Sequence, residues 1–160
     1  MTIKVGDKIP SVKIKTKTKD GMQDVETDKY FAGRKVVVFG LPGAFTPTCS
    51  AKHLPGFVEK ADEIRKKGVA EIACLSVNDA FVMDAWGKSQ SADGKVTMLA
   101  DGNGDLTRAL GLTMDGKGFG MGERSVRYAM VVDNGVVKAL QVEKPGAFEV
   151  SSAEAVLKAL

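Results

Sequence analysis

Val36-Val37-Val38-Phe39-Gly40-Leu41-Pro42-Gly43-Ala44-Phe45-Thr46-Pro47-Thr48-Cys49 is the stretch from which the rest of this chain is read. Val36 to Leu41 is an apolar run entered through Gly33-Arg34-Lys35 and closed by Pro42-Gly43. Such a run between turn residues reads as a strand buried on both faces. Beyond it, Ser50 to Lys67 carries Leu54, Phe57, Val58, Ala61 and Ile64, the spacing of one apolar helix face. Cys49 therefore falls at a strand-to-helix junction, at or in the first turn of a helix. Unpaired backbone N–H groups and the helix dipole favour negative charge there. The thiolate is the nucleophilic form of cysteine, so the position suits a reactive thiol. Thr48, Ser50 and Lys52 around it do not form the periodic apolar pattern of a core cysteine.

Working outward, Pro55 removes a backbone hydrogen bond and predicts a kink in the helix, which Gly68 stops. Val69 to Val77 reads as a second buried strand. Asn78 or Asp79 caps a helix through Phe81, Val82, Ala85 and Trp86. Val96 to Leu99 is a short strand, and Asp105 to Leu110 a short helix ended by Gly111. Val126 to Val132 and Val136 to Val142 flank Asp133-Asn134-Gly135, a hairpin signal because Asn-Gly accepts the positive dihedrals of a tight turn. Ser151 or Ser152 caps a last helix, with Glu154 placed for a capping box. Val12 to Lys15 alternates like a half-exposed strand. A strand–helix–strand half followed by a hairpin–helix half predicts an α/β, thioredoxin-like fold, with a mixed central sheet flanked by helices. No cysteine stands three residues from Cys49, so the chain is not a CxxC oxidoreductase.

With 160 residues and no internal repeat or linker, residues 1–160 are expected to form a single domain. The formal net charge is +3, and the densest cationic cluster is Lys13, Lys15, Lys17 and Lys19. Alternate lysines lie on one side of a strand, which reads as a solvated sheet face or edge. No aromatic residue is interleaved with them, so no nucleic-acid partner is expected. No apolar run is long enough to cross a bilayer, and the N-terminus lacks the apolar centre of a signal peptide. Two cysteines are too few for a disulfide scaffold, so a reducing, cytoplasmic location is expected.

The spacing Pro42-x-x-x-Thr46-x-x-Cys49 resembles the active-site motif of peroxiredoxins. PGAFTPTCS followed by AKHLPGF is similar to their type II branch, the plant-type and peroxiredoxin-5-like group. The likeness continues in the family's order through Val77-Asn78-Asp79, Asp84-Ala85-Trp86-Gly87 and Arg124-Ser125-Val126-Arg127-Tyr128. The resemblance implies a thiol peroxidase that reduces hydrogen peroxide and small organic hydroperoxides. Cys49 would pass through a sulfenic acid and be recycled by thioredoxin or by glutaredoxin and glutathione. It implies the thioredoxin-like fold, a homodimer, and no metal, haem or flavin cofactor.

The candidate site residues follow. Lowering a thiol's pKa from about 8.5 to about 6 raises its thiolate fraction roughly 30-fold at neutral pH, but the accompanying loss of nucleophilicity takes back roughly tenfold. A large acceleration must therefore come from groups that bind the peroxide as its O–O bond breaks. The motif assigns Thr46, whose hydroxyl can accept from the peroxide and donate to the sulfur. It also assigns Arg127, whose charged fork can hold the thiolate and both peroxide oxygens. Pro42 would shield the thiolate from water, and the Cys49 backbone N–H would be a further donor. Arg124, three residues from Arg127, is expected on the opposite side of an extended strand, as a rim or dimer contact or a site residue. His53, one helical turn after Cys49, either assists the thiol or packs locally. Cys74 lies in Glu71-Ile72-Ala73-Cys74-Leu75-Ser76-Val77, where an inert buried thiol is one reading. The other, implied by the resemblance, is a resolving cysteine that attacks the sulfenic acid after the helix start unwinds.

Gly116, Gly118, Gly120 and Gly122 precede a strand rather than a helix, so they do not match a dinucleotide loop. They suit a mobile loop that delivers Arg127. Cys49, His53 and Cys74 match no standard zinc spacing. Phe45 and Phe119 lie in a turn and a glycine-rich loop, which places them in the expected dimer contact. A thioredoxin-fold binding or redox-sensing protein without turnover is the rival reading.

Overall fold

The chain folds, in a computed structural model describing residues 2–160, in the order β1 (Lys13–Thr18), β2 (Gly21–Glu26), α1 (Thr27–Tyr30), β3 (Lys35–Leu41), a π-helical turn (Cys49–His53), α2 (Leu54–Arg65), β4 (Glu71–Ser76), α3 (Ala80–Ser89), β5 (Thr97–Ala100), α4 (Asp105–Leu110), β6 (Thr113–Asp115), β7 (Glu123–Ser125), β8 (Tyr128–Asp133), β9 (Val136–Val142) and α5 (Ala153–Ala159). A seven-stranded sheet runs β2-β1-β5-β4-β3-β8-β9, with β6 and β7 as a separate pair. β3, β4 and β5 are mutually parallel, whereas β8 and β1 join them antiparallel. This is the thioredoxin-like mixed sheet that the alternation of elements predicts.

The apolar run of β3 is central because both of its faces are covered. Val37, Phe39 and Leu41 enter one core with Leu54, Phe57, Ala61 and Ile64 of α2, Met83 and Trp86 of α3 and Val156 of α5. Val36 and Val38 enter a second core with Phe31, Leu106, Leu110, Met130 and Val132. Cys74 of β4 is in the first core and its neighbours Ala73 and Leu75 in the second, the period-two alternation of a strand. Gly40 is opposite Tyr128, and a Cβ there would lie 2.1 Å from the tyrosine ring. Any larger residue would displace the ring.

Turn chemistry explains the boundaries. Asp133 pairs with Val136 across Asn134 and Gly135, whose φ angles of 49° and 77° are those of the tight turn that Asn-Gly favours. Gly111 stops α4 at φ 72°. Asp79, not Asn78, caps α3 by accepting from the Val82 N–H at 2.8 Å. Ser152 caps α5 by accepting from the Ala155 N–H. Ala155 is thus the third residue after the cap, so Glu154 does not complete the expected capping box.

Three further expectations change. The helix irregularity is not a kink at Pro55. It is the π turn before it, where the Leu54 N–H reaches back to the Cys49 carbonyl, and Pro55 falls in the first turn of α2, where its missing N–H is tolerated. Of the two readings of the lysine-rich strand, the solvated face holds and the edge does not. β2 covers it, and Asp24 of β2 pairs with Lys13 and Lys15, while Lys17 pairs with Asp84 of α3. The strand expected from Val126 begins at Tyr128, leaving Val126 and Arg127 between β7 and β8. Among the described residues no helix is long and apolar enough to cross a membrane.

Candidate active site

β3 ends at Leu41, and the chain turns through Pro42 to Phe45 into the helix start. The Ser50 N–H bonds the Thr46 carbonyl at 2.9 Å, so Thr46 stands at the mouth of the first turn and Cys49 within it. Asn78 holds this turn from the end of β4. Its Oδ1 accepts from the Ala44 N–H at 3.0 Å and from Ser76 Oγ at 2.6 Å. A Cβ at Gly43 would lie 2.9 Å from Arg124 Nη1 and 3.3 Å from Thr46 Cγ2, so a side chain there would displace the Arg124 guanidinium. From the far side Trp86 Nε1 donates to Ser50 Oγ at 3.0 Å.

Cys49 has no exposed surface, contrary to the polar setting its sequence neighbours suggest. Its polar contact comes from far along the chain. Arg127 Nη2 donates to Cys49 Sγ at 3.1 Å, and Arg127 Nη1 donates to His53 Nδ1 at 2.9 Å. His53 Nε2 is 2.9 Å from the Ser151 carbonyl oxygen. A carbonyl only accepts, so Nε2 carries the proton and Nδ1 is the lone-pair nitrogen that receives Arg127. Burial, and then the charge of Arg127, push the His53 pKa down to about 3, so the ring is neutral. With one nitrogen protonated and the other engaged, His53 offers no free base to the thiol. It orients the guanidinium.

Thr46 Oγ1 donates to the Gly43 carbonyl at 2.6 Å. That uses its only proton and corrects the expectation that it donates to the sulfur. The lone pairs remain, so the hydroxyl can accept a proton-bearing oxygen of a substrate. Pro42 presents its carbonyl to Arg124 Nη1 at 3.4 Å, and Arg124 Nε donates to the Met121 carbonyl at 2.9 Å. Arg124 and Arg127 therefore both reach the site. The break between β7 and β8 removes the alternation that would have set them on opposite faces. Cys74 is fully buried in β4, paired with Phe39 on one side and Met98 on the other. Burial pushes its thiol well above the usual range, the charge of Cys49 adds to this, and Arg127 opposes it.

The redoxin family (Redoxin) matches residues 4–157 of the chain. The chain belongs to this family, in its plant-type peroxiredoxin branch. It is 56% identical to peroxiredoxin-2E-2, chloroplastic, of Oryza sativa subsp. japonica, covering 99% of this chain and 73% of that protein. It is 50% identical to peroxiredoxin-2B of Arabidopsis thaliana, covering 99% and 98%. Its backbone is similar to the crystal structure of reduced Prx3 in complex with hydrogen peroxide from Vibrio vulnificus, with TM-score 0.96, 53% identity and 99% of each chain covered. Peroxiredoxins are thiol peroxidases, and the chain is an enzyme of that class.

In this peroxiredoxin the structure brings Cys49, Arg127, Thr46 and Pro42 together at one end of β3. Cys74 stays in the strand beside it. Sequence reasoning missed Asn78 as the holder of the motif turn, because Asn at a strand end reads first as a helix cap. It also missed the Ser151 carbonyl that meets His53, since a backbone acceptor carries no motif of its own.

Proposed function

We propose that this peroxiredoxin reduces hydrogen peroxide and small organic hydroperoxides at Cys49. The observation that carries the reading is the Arg127 guanidinium bonded to Cys49 Sγ, with a Thr46 hydroxyl nearby whose proton is already committed. The Cys49 thiolate attacks one peroxide oxygen, forming an S–O bond as the O–O bond breaks. The sulfur is oxidised by two electrons to a sulfenic acid. The departing oxygen takes a proton and leaves as water or alcohol. Thr46 accepts from the peroxide hydroxyl and aligns it, and Arg127 stabilises the charge spreading over both oxygens. Pro42 keeps bulk water off the sulfur.

In the second half of the cycle, Cys74 attacks the sulfenic sulfur, water leaves, and a disulfide forms for a thioredoxin- or glutaredoxin-type dithiol to reduce. The buried, hard-to-ionise Cys74 is unsuited to this in its strand, so the turn Cys49–His53 unwinds first. The same burial favours a second route, in which glutathione, with glutaredoxin, resolves the oxidised Cys49 directly. The mass of the non-reduced protein after one equivalent of peroxide separates an internal disulfide from a free sulfenic acid and a covalent dimer. We place the protein in a reducing, cytoplasmic setting, because two cysteines are too few for a disulfide scaffold.

Phe45 is 57% exposed with φ 64°, and Phe119 is 79% exposed. Phe45 lies in the turn that carries the motif and Phe119 in the loop that leads to Arg124, and two exposed rings in these loops support a homodimer that covers them. A monomer by light scattering at micromolar concentration would remove that interface. The decisive test of the whole reading is Cys49→Ser, which abolishes turnover. Peroxide consumption by that variant would refute it.

A further inference from the structure

Glu143 follows the last residue of β9, and its backbone N–H donates to the Arg127 carbonyl at 2.9 Å. One main-chain bond thus ties it to the residue whose guanidinium holds the sulfur. Its side chain turns to the segment that leads into α5. Oε2 accepts from the N–H groups of Glu149, Val150 and Ser151, each at 2.8 Å, and from Ser151 Oγ at 2.7 Å. The residue is only 7% exposed. A carboxylate leaves water at such a place only where hydrogen bonds replace its hydration, and here four donors converge on one oxygen.

The segment so held closes the back of the site. Its Ser151 carbonyl accepts a hydrogen bond from His53 Nε2–H. Its Phe148 ring meets the His53 ring edge-on at 5.1 Å and lies 5.9 Å from the Arg127 guanidinium carbon. Residues 144–152 therefore form a strap over the His53–Arg127 pair, and one carboxylate oxygen fastens it. The chain of contacts is continuous: Glu143 to Ser151, Ser151 to His53, His53 to Arg127, Arg127 to Cys49.

We propose that Glu143 is a positioning residue for peroxide reduction, holding the strap whose Ser151 carbonyl sets the His53 tautomer and thereby the aim of Arg127. If the carbonyl moves away, the imidazole proton is free to shift to Nδ1. Two donors, Nδ1–H and Arg127 Nη1–H, then face each other, and the guanidinium turns off the sulfur. A displacement of about 1 Å in such a group lowers a rate roughly 100-fold. This inference rests on the assignment of Cys49 and Arg127 to peroxide reduction.

The test uses the full chain with Glu143→Ala and the isosteric Glu143→Gln. Three quantities are measured: the rate of reaction with hydrogen peroxide, the rate of Cys49 alkylation by iodoacetamide, and the ¹⁵N signals of the imidazole. The chain has one histidine, so those signals are unambiguous. In Glu143→Ala the peroxide rate falls about tenfold to 100-fold, alkylation does not fall in proportion, and the imidazole signals move toward a tautomer mixture. Glu143→Gln, which keeps one acceptor, gives smaller changes in the same directions, and it alone decides if the alanine variant does not fold. A peroxide rate equal to the parent's, an equal proportional loss in both reactions, or an unmoved imidazole would each overturn the proposal. Cys49→Ser separates the two levels. Inactivity there with unaffected Glu143 variants refutes only the strap, whereas activity there refutes the site itself.

Discussion

Cys49 and Cys74 have the same exposure, 0%, and belong to the same apolar cluster, yet their surroundings differ. Cys49 lies in a helix start and receives an N–H from Arg127. Cys74 lies mid-strand between Phe39 and Met98 with no such partner among the described residues, and burial pushes its thiol well above the usual range. Burial is thus not what separates the two thiols. The difference is a fixed cation aimed at the sulfur, held from behind by a neutral histidine. Irregular helix at Cys49 and regular ladder at Cys74 add a second contrast, since a single π turn is easier to unwind than the centre of a seven-stranded sheet.

The largest effect should come from removing that cation. Arg127→Ala should lower the hydrogen peroxide rate roughly 100- to 1,000-fold, the range seen when one preorganised donor to a developing charge is lost. Rapid-mixing kinetics beside thiolate absorbance would measure it. A loss no greater than the drop in thiolate fraction would reduce Arg127 to a partner of the sulfur alone. Next is Cys74→Ser, which removes the other cysteine without touching the first. The initial peroxide reaction should be nearly unchanged and most thioredoxin-linked turnover lost. Equal thioredoxin-linked turnover in variant and parent would leave Cys74 as packing only.

The smallest effect concerns the histidine behind the cation. His53 has a folded pKa of about 3 against an ordinary 6.5, so between those values the unfolded chain binds a proton that the folded chain does not. Its contribution to stability is full above pH 6.5 and is lost as pH falls. From pH 6.5 to 5 that amounts to about 2 kcal/mol, at about 1.4 kcal/mol per pH unit. Urea midpoints should fall over this range in the parent and stay flat in His53→Asn. A parent midpoint that is also flat would mean that the imidazole is solvated and does not brace Arg127.

Much of the fold was legible because its signals are local. The Val36–Leu41 run, the stops at Gly68 and Gly111 and the Asn134-Gly135 turn each depend on a few adjacent residues. β2 was not legible. Gly21–Glu26 has no regular apolar alternation, and it becomes a strand because β1 offers it backbone partners and lysines for Asp24. The π turn was masked by Pro55, which announces a break but not its position. At the site, Cys49, Thr46 and Pro42 could be read from one motif. His53 was visible but its role was not, since the same ring is a base or a brace depending on what each nitrogen meets.

The sequence by itself determined the order of the elements, the junction that carries Cys49, and the family to which the chain belongs. These depend on periodicity, turn chemistry and a motif within short stretches. Tertiary structure alone decided that Arg127, separated by 78 positions, meets Cys49, and that a carbonyl 98 positions away sets the tautomer of His53. It also decided that the two cysteines share their burial and not their partners. The reason is physical. A side chain's type states what it can donate or accept, but the donor or acceptor it meets is fixed only when distant strands pair and the loops between them close.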